Sequence, residues 1–208
     1  MDIQNKNLII RHSIREPIKD AKDSMWQLLT EEGKELARTL GKKLAQHSPA
    51  FSIYHSPVER CRQTAECIKQ GIISGFSQKV EINELDALKG FFYLNWDYCT
   101  NLMNNQVFTQ KWFHDEIPDT YIIPIEHAAE IMMDEIISNH KPGTTNIFIT
   151  HDWNIFCLKS LYYDRYDQME VPGYLEGIIV DNNRKMKQIF KKALFAGDSA
   201  PVSSPNTD

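Results

Sequence analysis

Two short apolar runs stop abruptly at histidines, and this pattern constrains the fold of the 208-residue chain more than any other feature. Residues 7–10 (NLII) meet Arg11 and His12, and residues 146–150 (NIFIT) meet His151. Runs of this length read as buried strands, and a buried strand that ends in polar residues delivers them to the carboxyl edge of a sheet. Between the two runs the period becomes helical. Residues 30–47 (TEEGKELARTLGKKLAQH) set Leu36, Leu40 and Leu44 on one helix face, with acidic residues first and basic ones later, as the helix dipole prefers.

Residues 51–54 predict a second strand, and Ser56 and Pro57 open a helix running to about residue 70, with Ser56 as N-cap and Pro57 at the first helical position. A third strand covers residues 80–82. Residues 86–124 lose regular alternation and carry Phe91, Phe92, Tyr93, Trp96, Tyr98, Phe108, Trp112 and Phe113, the composition of an insertion of short helices lying over the sheet edge. Residues 125–139 return to helical spacing through Ala128, Ile131, Met132 and Ile136, and a further helix is expected over residues 153–162. Residues 177–180 and 187–190, around Asn182-Asn183, read as a hairpin. Strands alternating with helices imply a three-layer α/β/α fold with a mixed, mostly parallel central sheet and a small helical insertion over the active site. The chain is long enough for one core, so residues 1–196 form a single domain, and the Ser-, Pro- and Asp-rich residues 197–208 form a disordered tail.

Charge and cysteine content narrow the setting. A net charge of -5 gives no general attraction to nucleic acid or to an anionic membrane, so neither is expected as a partner. The apolar run near the N-terminus meets charge at Arg11, too soon for a signal peptide or membrane span, and this points to the cytoplasm. Cys61, Cys67, Cys99 and Cys157 form no CxxC pair, which fits reduced thiols used for packing.

The chemistry concentrates at the two strand ends. Arg11, Arg15 and Arg60 surround the edge that carries His12 and His151. Guanidinium groups are planar, permanently charged donors matched to phosphate oxygens, so three of them with an imidazole would neutralise a phosphoryl group without a metal. The bland alternative, histidines and arginines in ordinary structural roles, is disfavoured because two such histidines coincide with three such arginines.

Arg11-His12-Ser13-Ile14-Arg15-Glu16-Pro17 resembles the RHGxRxP signature of histidine acid phosphatases and their relatives, with Ser13 in place of the glycine. Residues 56–65 (SPVERCRQTA) resemble the SPxxRAxQTA segment of the same superfamily, with Arg60 at the phosphate-contacting arginine. His151-Asp152 is similar to the HD motif of the acid phosphatase branch, where the phosphoglycerate mutase branch carries HG. On these motifs the chain is identified as a member of the histidine phosphatase superfamily, which implies a phosphoglycerate mutase-like fold. The resemblance implies that His12 is the nucleophile, that Arg11, Arg15, Arg60 and His151 hold phosphate, and that Asp152 is the proton donor. Glu84 and Asp86 are the alternative acids, since the mutase branch carries a glutamate four residues before a glycine and Asp86 has that spacing to Gly90.

The expected activity is therefore a phosphomonoesterase acting through a phosphohistidine on a small phosphorylated metabolite, with no metal and no cofactor. The alternatives are a phosphoglycerate-mutase-like phosphotransferase and a catalytically weak regulator that binds a phosphorylated ligand. Asp152 also suits a helix N-cap, Arg62 is offset from Arg60 and is read as solvent-facing, and the aromatic insertion is read first as core and second as a substrate wall. His47, His55, His114, His127 and His140 carry no readable role, and the sequence does not set the oligomeric state.

Overall fold

Alternation along the strands decides how the layers stack. In β1 (Asn7–Arg11), Leu8 and Ile10 face one side of the sheet and Ile9 the other. The strand expected over residues 146–150 shows the same division, with Ile147 and Ile149 on the side of Leu8 and Phe148 on the side of Ile9. Strands apolar on both faces must be covered on both faces, which is what parallel strands between helical layers provide. The computed structural model describes residues 3–18, 21–75, 79–105, 107–165 and 169–189. The expected tail at residues 197–208 lies outside the described residues.

With β2 (Phe51–His55), β3 (Val80–Glu84), β4 (Thr145–Thr150), β5 (Gly177–Val180) and β6 (Met186–Ile189), the strands form one six-stranded sheet in the order β3-β2-β4-β1-β5-β6. The pairs β3-β2, β2-β4 and β4-β1 are parallel, and the β5-β6 hairpin joins β1 antiparallel. The sheet is thus mixed and mostly parallel, as the alternation of elements implies.

One face is covered by α1 (Glu31–Leu44) and α2 (Glu59–Gly75), the other by an insertion and two later helices. The insertion consists of a 3-10 turn (Asp86–Leu88), α3 (Trp96–Asn104) and α4 (Phe108–Phe113), and it is followed by α5 (Ile125–Ser138) and α6 (Asp152–Lys159). In α1, Thr30 accepts the Gly33 N–H at 2.9 Å as N-cap, and the acidic start and basic end are those the sequence offers. The insertion packs as core through Phe92, Phe108 and Trp112, all essentially buried.

Three expectations about helices change. In α2, Arg62 N–H donates to the Val58 carbonyl, so the helix starts at Glu59 and Ser56 is not its N-cap. In α6 the N-cap is His151, which makes Asp152 the first helical residue. In α5 the buried stripe is Ile125, Ala128, Ala129, Met132, Met133 and Ile136, while Ile131 turns outward because it falls a third of a turn off that stripe. Among the described residues, no helix is long and apolar enough to cross a membrane.

The crossing of α1 and α2 is set by two glycines. A Cβ at Gly41 would lie 2.1 Å from the Ile68 carbonyl oxygen, and one at Gly71 would lie 2.0 Å from that of Arg38. Helix propensity alone favours alanine over glycine by about 1 kcal/mol. The clash is with backbone, which cannot turn aside, so overpacking at about 1–3 kcal/mol outweighs that gain. Gly71→Ala is therefore expected to lower the urea midpoint of unfolding, and a raised midpoint would contradict this account of the crossing.

Candidate active site

Strand register brings the site together. Arg11 in β1 lies opposite Thr150 in β4, and His12 N–H donates to the Thr150 carbonyl at 2.9 Å. On the other side of β4, Ser56 N–H donates to the Ile149 carbonyl at 3.0 Å. Three neighbouring strands therefore release His12, His151 and Ser56 side by side at their carboxyl ends, where open α/β sheets bind ligands. The imidazole centroids of His12 and His151 are 5.6 Å apart.

Arg60, the second residue of α2, ties the two rings together. Its Nε–H donates to His12 Nε2 at 2.9 Å, an Nη2 hydrogen donates to His151 Nδ1 at 3.1 Å, and Nη1 donates to the Ser24 carbonyl. Each ring has its other nitrogen engaged. His12 Nδ1 lies 2.8 Å from the Ser13 carbonyl, and His151 Nε2 lies 3.1 Å from Ser56 Oγ. A carbonyl and a guanidinium leave one consistent assignment for His12: Nδ1 carries the proton and Nε2 carries the lone pair. The same logic puts the His151 proton on Nε2, where it donates to Ser56.

The surroundings favour these neutral forms. Burial, then the neighbouring His151 imidazole and the guanidinium charges of Arg60 and Arg11, hold His12 well below the usual histidine range. Burial, then Arg60, Arg11 and Arg15, do the same to His151. Cys61 lies 3.8 Å from His151 Nε2, but burial pushes its thiol up to about 12, so it stands there as an uncharged packing group.

Arg11 reaches the site from the end of β1. Its Nη2 pairs with Asp152 Oδ2 at 2.8 Å, its Nη1 donates to the Pro172 carbonyl at 2.9 Å, and its guanidinium carbon sits 4.4 Å from the centre of the Tyr174 ring. Its Nε is buried with no hydrogen-bond partner among the described residues, a spare donor beside the histidines. The other oxygen of Asp152 accepts the Trp153 N–H at 3.0 Å.

The loop after His12 is fastened from below. Ser13 N–H donates to Thr64 Oγ1 at 3.1 Å, Ser13 Oγ donates to the Gly33 carbonyl at 2.7 Å, and Thr64 donates to the Arg60 carbonyl. The residue in place of the motif glycine is wholly buried and does not line the cavity. A Cβ at Gly33 would lie 2.1 Å from the Ile14 carbonyl oxygen, so the first turn of α1 presses directly on this loop.

These groups open into a cavity of about 740 Å³. The strand ends and α2 contribute Arg11, His12, Arg15, Arg60 and His151 to its lining; α6 contributes Asp152 and Trp153; and the insertion adds Lys89, Tyr93, Trp96 and Met103. Arg15 lines the cavity while its Nη1 donates to the Glu16 carbonyl. Glu84 and Asp86 are exposed and do not line it. Glu84 ends the edge strand β3, which β2 and β4 separate from β1, and the 3-10 turn beginning at Asp86 presents Lys89 and Gly90 to the cavity instead. Arg62 pairs with Glu59 and Glu66 away from the site, as expected. Among the described residues, no group of three or more His, Cys, Asp or Glu side chains is placed to hold a metal ion.

Sequence reasoning missed Tyr174, the Pro172 carbonyl and Lys89. Pro172-Gly173 signals a turn, but nothing in the sequence shows that this turn folds back onto Arg11. The fold makes it do so, because Arg11 N–H donates to the Glu176 carbonyl and Leu175 N–H donates to that of Arg11.

The two depressed imidazoles make a stability prediction. Below the ordinary histidine value of 6.5 the unfolded chain takes up protons at positions 12 and 151, while the folded chain does not until lower pH. Stability carried by these groups is present above about pH 6.5 and is lost as pH falls toward their folded values. Urea unfolding at pH 7.5 and 5.5 should show the loss, and His151→Gln should reduce it. An identical pH slope in the variant would contradict the burial of a neutral His151.

Comparison with known proteins accords with this geometry. No curated protein matches the sequence. Among solved structures, phosphoserine phosphatase from Entamoeba histolytica is 16% identical with a TM-score of 0.59, over 91% of this chain and 99% of that one. A mycobacterial glucosyl-3-phosphoglycerate phosphatase is 11% identical with a TM-score of 0.60, over 90% and 98%. A phosphoglycerate mutase from Bacillus anthracis is 15% identical with a TM-score of 0.58, over 90% and 92%. At these identities the likeness is one of fold. The family model for the histidine phosphatase superfamily (branch 1) matches residues 9–161, well over half of the chain. On the family match, the chain belongs to the histidine phosphatase superfamily.

Proposed function

We propose that the chain is a metal-independent phosphomonoesterase that acts through a phosphohistidine at His12 on a small phosphorylated metabolite. The observation that carries this reading is the pair of contacts on His12, Nδ1 against the Ser13 carbonyl and Nε2 against the Arg60 Nε–H, which assign the proton to Nδ1 and leave Nε2 the lone pair a nucleophile needs. Family membership supports a phosphatase-type or mutase-type enzyme.

In this reading the phosphoryl oxygens draw the donors of Arg60 away from His12 Nε2. Arg60, Arg11 with its spare Nε–H and Arg15 then hold the phosphoryl group and offset the charge that builds up on its oxygens, and that negative charge favours a solvent proton on His151 Nδ1, which adds His151 to the donors. The His12 Nε2 lone pair attacks phosphorus in line, the ester P–O bond breaks, and the departing oxygen takes a proton from Asp152. Phosphate displaces Arg11 from its pairing with Asp152, and the freed carboxylate takes up the proton of the incoming phosphate monoanion, which it then passes to the departing oxygen. In the second half, Asp152 takes a proton from water, the water oxygen attacks phosphorus, and the P–N bond breaks to restore neutral His12. The burial of Ser13 weighs against the regulator alternative, since its side chain leaves the cavity open.

Phosphate release with EDTA present, across pH 4 to 8, tests the reading. Activity should survive EDTA and fall to background in His12→Ala. Asp152→Asn should lower turnover of an alkyl phosphate by about 10²–10⁴-fold, the range for a lost general acid. Its effect on p-nitrophenyl phosphate should be smaller, because a nitrophenolate leaves without help from a proton. Equal losses on both esters would contradict Asp152 as proton donor, and activity retained in His12→Ala would contradict the mechanism. Glu84→Gln should match the wild type on both.

A further inference from the structure

The lining of the same cavity bears on the alcohol half of the substrate, an inference that rests on the proposed phosphatase activity. The charged lining comes from the strand ends, the first turns of α2 and α6, and Lys89. The remainder is largely apolar, with Ile18, Met25 and Val58 from the first half of the chain and Tyr93, Trp96, Met103 and Trp153 from the insertion and α6.

This apolar wall is braced from behind. Tyr93 packs on Phe92 at 4.5 Å and on Phe108 at 5.9 Å, and Trp153 packs edge-on to Phe108 at 5.5 Å. Phe92 and Phe108 are themselves essentially buried, so the rings in front of them have little room to move. Trp96, the first residue of α3, stands edge-on to Tyr93 at 5.1 Å and remains 44% exposed. Leu94 is 56% exposed and Trp26, next in sequence to the lining residue Met25, is 73% exposed. Scattered exposed apolar residues need no explanation, but these lie on or beside segments that line one cavity.

Among the described residues, groups able to recognise a polyol are few. Of the uncharged amide and hydroxyl side chains in the lining, Asn154 is buried with its amide nitrogen donating to the Leu88 carbonyl, and the others are Ser24 and the Tyr93 hydroxyl. A site that selects a sugar needs several hydrogen-bonding side chains aimed at its hydroxyls, because an unpaired hydroxyl in an apolar cleft loses its water without compensation.

We propose that the enzyme selects phosphomonoesters whose alcohol carries an aromatic ring or comparable hydrocarbon group, and that Trp96, backed by Tyr93, is the residue that confers the selectivity. The phosphate seats among the arginines, and the apolar group lies along the wall that the insertion builds. The cationic and apolar parts of the lining match the two halves of such a molecule.

The test compares kcat/KM for 3-phenylpropyl phosphate and glycerol 1-phosphate. Both release primary alkanols, so the ratio reports recognition more than leaving-group chemistry. The phenylpropyl ester should be preferred by about 10- to 100-fold, the discrimination a few buried carbons support. Trp96→Ala should reduce the ratio by about tenfold, and Trp96→Phe should keep most of it, with thermal melts confirming that both variants fold. Equal turnover of the two esters, or a ratio unmoved by Trp96→Ala, overturns the selectivity and leaves the phosphatase reading standing. Hydrolysis of neither ester by folded wild-type protein overturns the phosphatase reading, and the selectivity with it.

Discussion

The guanidinium of Arg60, bonded at once to His12 and His151, is the contact on which the rest of the site depends. A partly buried cation can sit against two imidazoles if both are neutral and both offer a lone pair, and the groups on the far side of each ring arrange this. The Ser13 carbonyl takes the proton side of His12, and Ser56 Oγ takes that of His151. Each ring is thereby turned so that its unprotonated nitrogen meets the arginine. Burial first, and the charge of Arg60 after it, makes protonation of either ring costly, so tautomer and orientation follow from this contact and the charge state from burial together with it.

Arg60 can hold this position because of how the two amino-terminal helices lie. Gly41 and Gly71 let α1 and α2 approach until backbone meets backbone, and Gly33 lets α1 press on the loop that carries Ser13. Thr64, one turn after Arg60, accepts the Ser13 N–H and closes the connection between α2 and the His12 loop. A chain of close contacts thus runs from helix packing to the position of the nucleophile.

Much of this was legible in the sequence. The runs at residues 7–10 and 146–150 end within one residue of the ends of β1 and β4, and since these strands are parallel neighbours in register, the histidines after them meet. The division of strand residues between two cores follows from alternation alone. What could not be read depends on tertiary placement. Ser56 and Pro57 have the composition of a helix start, yet α2 begins at Glu59, and the Ser56 hydroxyl faces His151 because strand pairing carries it there. The spacing from Asp86 to Gly90 suggested an acid, but β3 is an edge strand remote from β1, and the turn after it presents Lys89. Tyr174 reaches Arg11 from beyond the last motif, through an antiparallel pairing that no local pattern encodes. In the aromatic insertion Phe92, Phe108 and Trp112 fill the core while Tyr93 and Trp96 face the cavity, a division that no spacing in residues 86–124 announces.

The state of His12 is the point from which the chemistry departs, and nitrogen-15 NMR of histidine-labelled protein reads it directly. At pH 6 the account predicts a neutral ring with the proton on Nδ1 and an unprotonated Nε2, whereas an unperturbed histidine would be mostly charged. An imidazolium at position 12, or a neutral ring with its proton on Nε2, would contradict it.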